Sequence, residues 1–190
     1  GGLTPVKLAL AGTAVGTFLS ALSTSIAIHF DVARDVSFWY AGGVAGTKWL
    51  SIQLLIPAAA LGLAVVFVIA RSITVLSLGE ELAKGLGQYT KTVKAIGIVS
   101  VVLLTGATVS VAGAIGFIGL IIPHITRFLV GVDYRWIIPC SAVLGAVLLI
   151  YADIAARLVN PPFETPVGAV TALVGVPFFL YLARRERSGL

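Results

Sequence analysis

The stretch that most constrains this chain is GAIGFIGLIIPHITRFLVG, which runs from Gly113 to Gly131. It is an apolar run that contains four glycines and is interrupted by Pro123. In a water-exposed helix, each glycine costs about 1 kcal/mol relative to alanine and an interior proline costs about 3 kcal/mol. In a bilayer, small residues let helices approach closely, and neighbouring helices can satisfy a backbone group released by proline. We therefore predict a short, closely packed membrane segment in which Gly113, Gly116, Gly119 and Pro123 serve helix packing or a transport pathway.

The composition supports a membrane location for the whole chain. Hydrophobic residues make up 58% of the sequence and charged residues 11%, compared with about 45–50% and about 25% in soluble domains. The formal net charge is +5, but the basic residues lie between apolar runs and form no basic face, so we do not expect nucleic acid as a partner. We predict an all-α, polytopic membrane helix bundle embedded in a lipid bilayer.

About six membrane-spanning segments follow from the lengths of the apolar runs. They are Leu8–Ile28, Trp49–Ala70, Ala95–Ala112, Ile115–Val130, Trp136–Ala156 and Val167–Ala183. Between the first two, His29–Thr47 holds charged residues and a cluster of aromatic residues, which predicts a short amphipathic helix at the interface. The proline-rich stretch NPPFETP, from Asn160 to Pro166, predicts a turn before the last segment.

The distribution of basic residues predicts the orientation. Six crossings place most of the Lys and Arg residues on one side of the membrane: Lys7, Arg71, Lys84, Lys91, Lys94, Arg127, Arg135, Arg184, Arg185 and Arg187. The other side receives Arg34, Lys48 and Arg157. Because cytoplasmic loops are enriched in Lys and Arg, we expect both ends of the chain in the cytoplasm and NPPFETP outside.

Residues 71–94 form the longest polar stretch and contain SLGEELAKGLG. Glu80 and Lys84 are four residues apart, a spacing that stabilises a helix, and Gly79 and Gly87 are typical start and stop signals. We predict a short helix outside the membrane. Considered without any family comparison, it is a solvated connecting helix.

The chemistry-bearing residues do not form a catalytic set. A covalent mechanism needs a nucleophile with a base within hydrogen-bond reach, and the predicted topology puts His29 and His124 on opposite faces. Two separated histidines and the single cysteine, Cys140, do not make a metal site. The sequence has no GxxxxGK[ST] phosphate loop. We therefore expect no enzyme activity, no ATP binding by this chain and no cofactor.

Asp153 is the one carboxylate inside an apolar segment, and such residues are functional candidates. Arg157 lies four residues further on, so a helical ion pair near the outer end is the structural alternative.

The motif GAIGFIGLIIPHITRFLVG, the charged pair Asp133 and Arg135, and the later YADIAARL together resemble the FecCD family. This family comprises permease subunits of bacterial ABC importers for iron-siderophores, haem and cobalamin. The resemblance runs through Leu182 and fits the C-terminal half of such a permease over residues 1–190. The sequence contains no methionine, which also leads us to expect a fragment.

The resemblance implies a role for residues 71–94 as a cytoplasmic coupling loop. In the family, the matching segment docks into a groove on the ATP-binding subunit. Leu82, Ala83 and Leu86 are expected on one side of the short helix, which could move as a rigid lever. The implied coupling residues are Leu78, Gly79, Glu80, Glu81, Ala83, Lys84, Leu86 and Gly87.

The resemblance also implies a docking site on the outer face. Arg157 in DIAARL matches an arginine that pairs with the substrate-binding protein, and Glu164 matches the acid of an ELPxG-type turn. Here the turn is ETPVG, with Thr165 in place of leucine, which leaves its local packing open. The structural alternative for Arg157 and Glu164 is anchoring at the membrane interface.

The resulting hypothesis is a permease subunit in a bacterial plasma membrane, acting in uptake of a ferric siderophore. Its expected partners are a cytoplasmic ATP-binding subunit, an extracytoplasmic substrate-binding protein and a second permease subunit. The alternative is a secondary transporter or channel without an ATPase, which would need intramembrane charges or broken helices at the midplane.

Overall fold

The computed structural model describes residues 5–159, 161 and 165–187, and this part of the chain contains helices and no strands. The described chain separates into two compact units, residues 1–40 and 41–190. The predicted all-α architecture is confirmed. In unit 1, α1 (Pro5–His29) is followed by the short amphipathic α2 (Ala33–Tyr40), as His29–Thr47 predicted.

Unit 2 holds seven helices among the described residues. They are α3 (Trp49–Val68), α4 (Ala70–Ser77), α5 (Glu80–Gly85), α6 (Thr90–Ala112), α7 (Ile118–Val130), α8 (Tyr134–Val159) and α9 (Val167–Arg187). α3 and α6 pack against each other, and α7, α8 and α9 form a second packed group. α4 joins these two groups because it contacts both α6 and α8.

The apolar segments correspond to the predicted spans. Four described helices, α1, α3, α6 and α8, are long and apolar enough to cross a membrane, and α7 and α9 are shorter apolar helices. Only 6% of the α3 and α6 spans and 11% of the α8 span are buried within the chain. Such apolar, exposed surfaces require a non-aqueous environment or further protein around them. The predicted polytopic helix bundle is therefore confirmed, with four helices long enough to cross a membrane and two shorter apolar helices at the positions of the other two predicted segments.

The segment from Gly113 to Gly131 is not one closely packed helix. Gly113 ends α6 with a φ of 67°, residues 114–117 form a connection, and α7 begins at Ile118. α7 has 13 residues, which span about 20 Å at 1.5 Å per residue, less than the roughly 30 Å hydrocarbon core. The predicted segment therefore contains a short apolar helix, and its crossing of the membrane stays a prediction.

Two details of this segment bear on its packing. Pro123 lies inside α7, which continues through it to Val130. Within the described chain, a Cβ atom built on Gly116 or Gly119 would meet no other atom within 4 Å. The role of these glycines in helix packing or a transport pathway stays a prediction.

The connections of unit 2 gather at two opposite ends. At one end, Gly43 N donates to Ala112 O at 2.8 Å and Gly168 N donates to Gly42 O at 3.2 Å. At the other end, Thr74 Oγ1 lies 3.2 Å from Asp133 Oδ1. Residues 71–94 and the α7–α8 connection therefore share one end, and the connections that precede α3, α7 and α9 share the other.

Candidate functional site

The first candidate surface is α5 and its flanks, and glycine conformations set its limits. Gly79 precedes α5 with φ 126° and Gly87 follows it with φ 77°, values that favour glycine. Gly87 N donates to Lys84 O at 2.9 Å and Gln88 N donates to Ala83 O at 3.0 Å, a Schellman-type helix end. The prediction of a short helix bounded by these two glycines is confirmed.

Glu80 is the electrostatic centre of this surface. Its carboxylate pairs with Lys84 at 3.0 Å and also with Lys94 at the start of α6. Hydrogen bonds from Lys94 and Lys84 lower the pKa of Glu80 to about 2. A lowered pKa means that the pairs are complete above the ordinary pKa of 4.5 and are lost as pH falls towards 2. The predicted Glu80–Lys84 pair is confirmed, and Lys94 adds a tie between α5 and α6.

The apolar side chains of α5 do not share one face as expected. Ala83 is fully buried at 0% exposure, whereas Leu82 is 62% exposed and Leu86 is 72% exposed. Leu82 and Leu86 are four residues apart, so they project from the same side of the helix. The expectation that Ala83 lies beside them is wrong, because its small side chain is the one that packs inward. Leu78 is also exposed, and these three leucines form what we call the α5 leucine surface.

α5 packs against α4, and α4 is held in place by residues that sequence analysis did not identify as important. Gln88 Nε2 donates to Ser72 O at 2.8 Å. Tyr134 N donates to Thr74 Oγ1 at 3.0 Å, and Asp133 lies beside the same hydroxyl. The sequence alone did not indicate a role for Thr74, because many other threonines of this chain also lie in predicted helices. Asp133 appeared there only as part of the charged pair with Arg135.

The second candidate site is at the end of α8. Arg157 Nε donates to Asp153 Oδ2 at 2.8 Å, which confirms the predicted helical ion pair. The Arg157 side chain remains 57% exposed while it makes this pair. Glu164, the other predicted docking residue, lies outside the described residues. The structure therefore brings Asp153 and Arg157 together and describes Arg157 as partly accessible.

Backbone contacts at this end of unit 2 were not predicted. A Cβ atom on Gly42, whose φ is 72°, would lie 2.6 Å from Ala114 O. A Cβ atom on Gly168 would collide with Ala41 O. The glycines in AGGVAG and PVGAV could have indicated a close backbone approach. Their partners could not be predicted, because the contacts join segments that are far apart in the sequence.

The described residues contain no group of three or more His, Cys, Asp or Glu side chains that could hold a metal ion. His124 packs against Phe178 with ring centroids 6.2 Å apart. His29 contacts Phe30 in unit 1. Both contacts are aromatic packing, which is the ordinary role of a histidine on an apolar helix.

Comparison with known proteins assigns the family. The model of the FecCD transport family matches residues 1–185. The chain belongs to the FecCD transport family. It is a multi-pass membrane chain of the permease type, since the curated relatives described next are permeases and its described helices include four candidate spans.

Two curated relatives are similar along the whole chain or nearly all of it. The Iron(3+)-hydroxamate import system permease protein FhuB of Bacillus subtilis (strain 168) is 76% identical over 190 residues, which are 100% of this chain and 50% of that protein. The Fe(3+)-citrate import system permease protein YfmD of the same strain is 46% identical, over 99% of this chain and 56% of that protein. The chain therefore spans about half the length of the curated relatives it matches.

A solved structure supports the fold independently. A chain described as an inward-facing conformation of a metal-chelate type ABC transporter superposes with a TM-score of 0.87. Its sequence identity is 28%, over 96% of this chain and 60% of that chain. The helical arrangement described above is thus similar to that of a chain from a metal-chelate type ABC transporter.

Proposed function

We propose that residues 1–190 are the C-terminal half of a permease subunit of a bacterial ABC importer that takes up a ferric siderophore. The observation that carries this proposal is the 76% identity, over all 190 residues of this chain, to an iron(3+)-hydroxamate import permease. The identity falls to 46% for the Fe(3+)-citrate permease YfmD. We therefore favour a ferric hydroxamate as the transported chelate.

Residues 71–94 are proposed as a cytoplasmic coupling loop, in which residues 78–87 contact a separate ATP-binding subunit. The α5 leucine surface is exposed although it consists of large apolar side chains, and an exposed apolar row on a short helix suits insertion into a groove of a partner. Glu81 and the ion-paired Glu80 and Lys84 lie on the same short helix. Charged groups at the rim of an interface act mainly on specificity and association rate. ATP hydrolysis belongs to that partner in this proposal.

Arg157 and Glu164 are proposed to dock the extracytoplasmic substrate-binding protein. The support is the exposed part of the Arg157 guanidinium at the end of α8 opposite to residues 71–94. A second permease subunit would complete the pathway, and the poorly buried apolar spans leave ample surface for it and for lipid. The assembly would sit in the bacterial plasma membrane with both ends of this chain in the cytoplasm.

The test uses the complete permease that contains this sequence, in cells whose own ferric hydroxamate permease is deleted. Cells receive iron-labelled ferric hydroxamate with unlabelled ferric citrate as competitor. We expect labelled iron to accumulate, to resist the citrate competitor and to stop when the ATPase is inhibited by vanadate. Catalytically inactive ATPase subunits provide the matched control.

Two results would contradict the proposal. Accumulation that persists with the inactive ATPase and collapses when the proton gradient is removed would indicate a secondary transporter. Accumulation of labelled iron supplied as ferric citrate, with none from labelled ferric hydroxamate, would reassign the substrate.

A further inference from the structure

α4, the helix that leads into α5, is attached to the connection between α7 and α8 by hydrogen bonds of the Thr74 side chain. Thr74, near the end of α4, accepts a hydrogen bond from the backbone N–H of Tyr134 at 3.0 Å. Asp133 Oδ1 lies 3.2 Å from Thr74 Oγ1. We call these interactions of Thr74, Asp133 and the Tyr134 N–H the α4–α8 contact. It joins residues 59 and 60 positions apart in the sequence.

The hydrogen-bonding capacity of the Thr74 hydroxyl determines which of these hydrogen bonds is always present. The Thr74 hydroxyl has one proton, and Ala70 O at 3.0 Å competes with Asp133 Oδ1 for it. The hydroxyl accepts from Tyr134 N in either case, because its lone pairs remain available. Removal of the hydroxyl would therefore leave the Tyr134 N–H without its acceptor in a partly buried position.

Asp133 also fixes the start of α8. Its side chain accepts from Arg135 N at 3.0 Å, and the Arg135 guanidinium binds Asp133 Oδ2 at 2.8 Å. The backbone N–H groups of Trp136 and Ile137 donate to Asp133 O, each at 3.0 Å. Asp133, whose carboxylate contacts α4, is therefore hydrogen-bonded to the first turn of α8, and we expect the two to move together.

α8 connects this contact with the opposite end of the unit. It has 26 residues from Tyr134 to Val159, a length of about 39 Å at 1.5 Å per residue. Arg157 lies in its last turn. On the other side of the contact, α4 leads directly into α5, and Gln88 after α5 donates back to Ser72 O of α4. We therefore expect a displacement of α5 to move α4 with it.

We propose that Thr74 and Asp133 are positioning residues that make α8 follow the movement of α4 and α5, and so connect the ATPase contact with the binding-protein side. This inference rests on the proposed function of residues 71–94. Hydrogen bonds between partly buried groups hold two helices in one relative position, and packed elements with few alternative arrangements transmit small shifts. The α4–α8 contact is placed where such a shift would have to pass from α4 to α8.

The experiment uses the complete transporter in proteoliposomes, with its ATPase and its chelate-loaded binding protein. ATP hydrolysis is measured with and without the binding protein. A net hydrogen bond contributes about 0.5–1.5 kcal/mol, so we expect Thr74→Val to lower the stimulated rate about two- to tenfold. The unstimulated rate and the amount of ATPase that co-purifies should stay unchanged. Thr74→Ser, which retains the hydroxyl, should restore stimulation.

Thr108→Val is the matched control, because the Thr108 hydroxyl bonds to Leu104 O and Thr105 O in its own helix. It should leave stimulation at the unaltered level. In a double-mutant cycle, Thr74→Val and Asp133→Ala should be less than additive, because both remove the Thr74–Asp133 hydrogen bond, whereas only Thr74→Val also removes the acceptor of the Tyr134 N–H.

Each other outcome overturns the inference. Normal stimulation in Thr74→Val would show that α8 does not depend on the contact. A parallel loss of unstimulated activity, stimulated activity and assembled protein would show that Thr74 and Asp133 only support folding. Failure of the unaltered permease to bind any ATPase would instead reject the proposed function itself, and this inference with it.

Discussion

Gly168 shows how a single residue can hold two distant segments together. Its backbone N–H donates to Gly42 O, and a Cβ atom at this position would collide with Ala41 O. We expect Gly168→Ala to destabilise the protein by about 1–3 kcal/mol, because a rigid backbone atom and not a flexible side chain must move. Thermal unfolding of the detergent-solubilised complete permease measures the effect.

Gly116→Ala is the control for this prediction, because a Cβ atom there would meet nothing within 4 Å. It should leave the unfolding temperature nearly unchanged. Equal destabilisation by both substitutions would mean that Gly116 packs against another part of the assembly, and equal tolerance would mean that the approach at Gly168 is not tight.

Arg157 combines a helical ion pair with an exposed guanidinium. If it docks the binding protein, Arg157→Glu should slow association and make the remaining association less dependent on salt, since rim charges act through long-range attraction. Surface plasmon resonance at low and high salt measures both effects with the complete permease.

Asp153→Asn separates the two roles of Arg157. This substitution removes the charge of the Arg157 partner but keeps Arg157 itself, so docking of the binding protein should persist. If Arg157→Glu leaves the association rate unchanged at both salt concentrations, Arg157 serves only the ion pair.

At the scale of one element, α5 depends on its surroundings for its position and not on its own length. With six residues, it is far below the length at which isolated helices are stable in water. The left-handed glycines, the buried Ala83 and the Glu80 pairs with Lys84 and Lys94 fix it to unit 2. A helix fixed in this way can present Leu82 and Leu86 without ordering cost when a partner binds.

Leu86→Asp should remove ATPase association from the complete permease while the membrane spans stay intact. Leu86 is 72% exposed, so the charge costs the isolated permease little, but burying it unpaired in an interface costs several kcal/mol. Co-purification of the ATPase and transport should therefore be lost together. Leu86→Met, which keeps an apolar side chain, should retain both.

Glu81→Lys provides a second probe of the same element through its charge. If ATPase association survives both Leu86→Asp and Glu81→Lys, α5 is a connector, and the partner contact must lie elsewhere among the cytoplasmic segments.

At the scale of the whole molecule, the predicted orientation can be tested by labelling. With Cys140 replaced by alanine, one cysteine is placed at Lys84 in α5 and another at Pro161 between α8 and α9, which are at opposite ends of unit 2. We expect a membrane-impermeant thiol reagent applied to intact cells to modify Pro161→Cys and not Lys84→Cys. Disruption of the membrane should make Lys84→Cys reactive.

The reverse pattern would invert the orientation and would remove α5 from the cytoplasmic ATPase. Labelling of both positions in intact cells would contradict the three predicted crossings between them, which are made by α6, the short α7 and α8.

Much of the helical framework follows from local patterns in the sequence. The lengths of the apolar runs predicted the spans, because a bilayer imposes a minimum length on a helix that crosses it. Gly79, Gly87 and the Glu80–Lys84 spacing predicted α5, since capping and i,i+4 pairs depend on near neighbours. The same applies to the Asp153–Arg157 pair.

Long-range packing determined the features that local patterns did not contain. Which side of α5 faces inward depends on neighbouring helices, so Ala83 turned out to be buried while Leu82 and Leu86 remain exposed. The contact of Thr74 with Asp133 joins α4 to α8 across 59 residues, and hydrogen-bond partners at that separation have no periodic signature. Helices form from near-neighbour interactions within the chain, whereas their contacts arise when the apolar faces of several helices pack together.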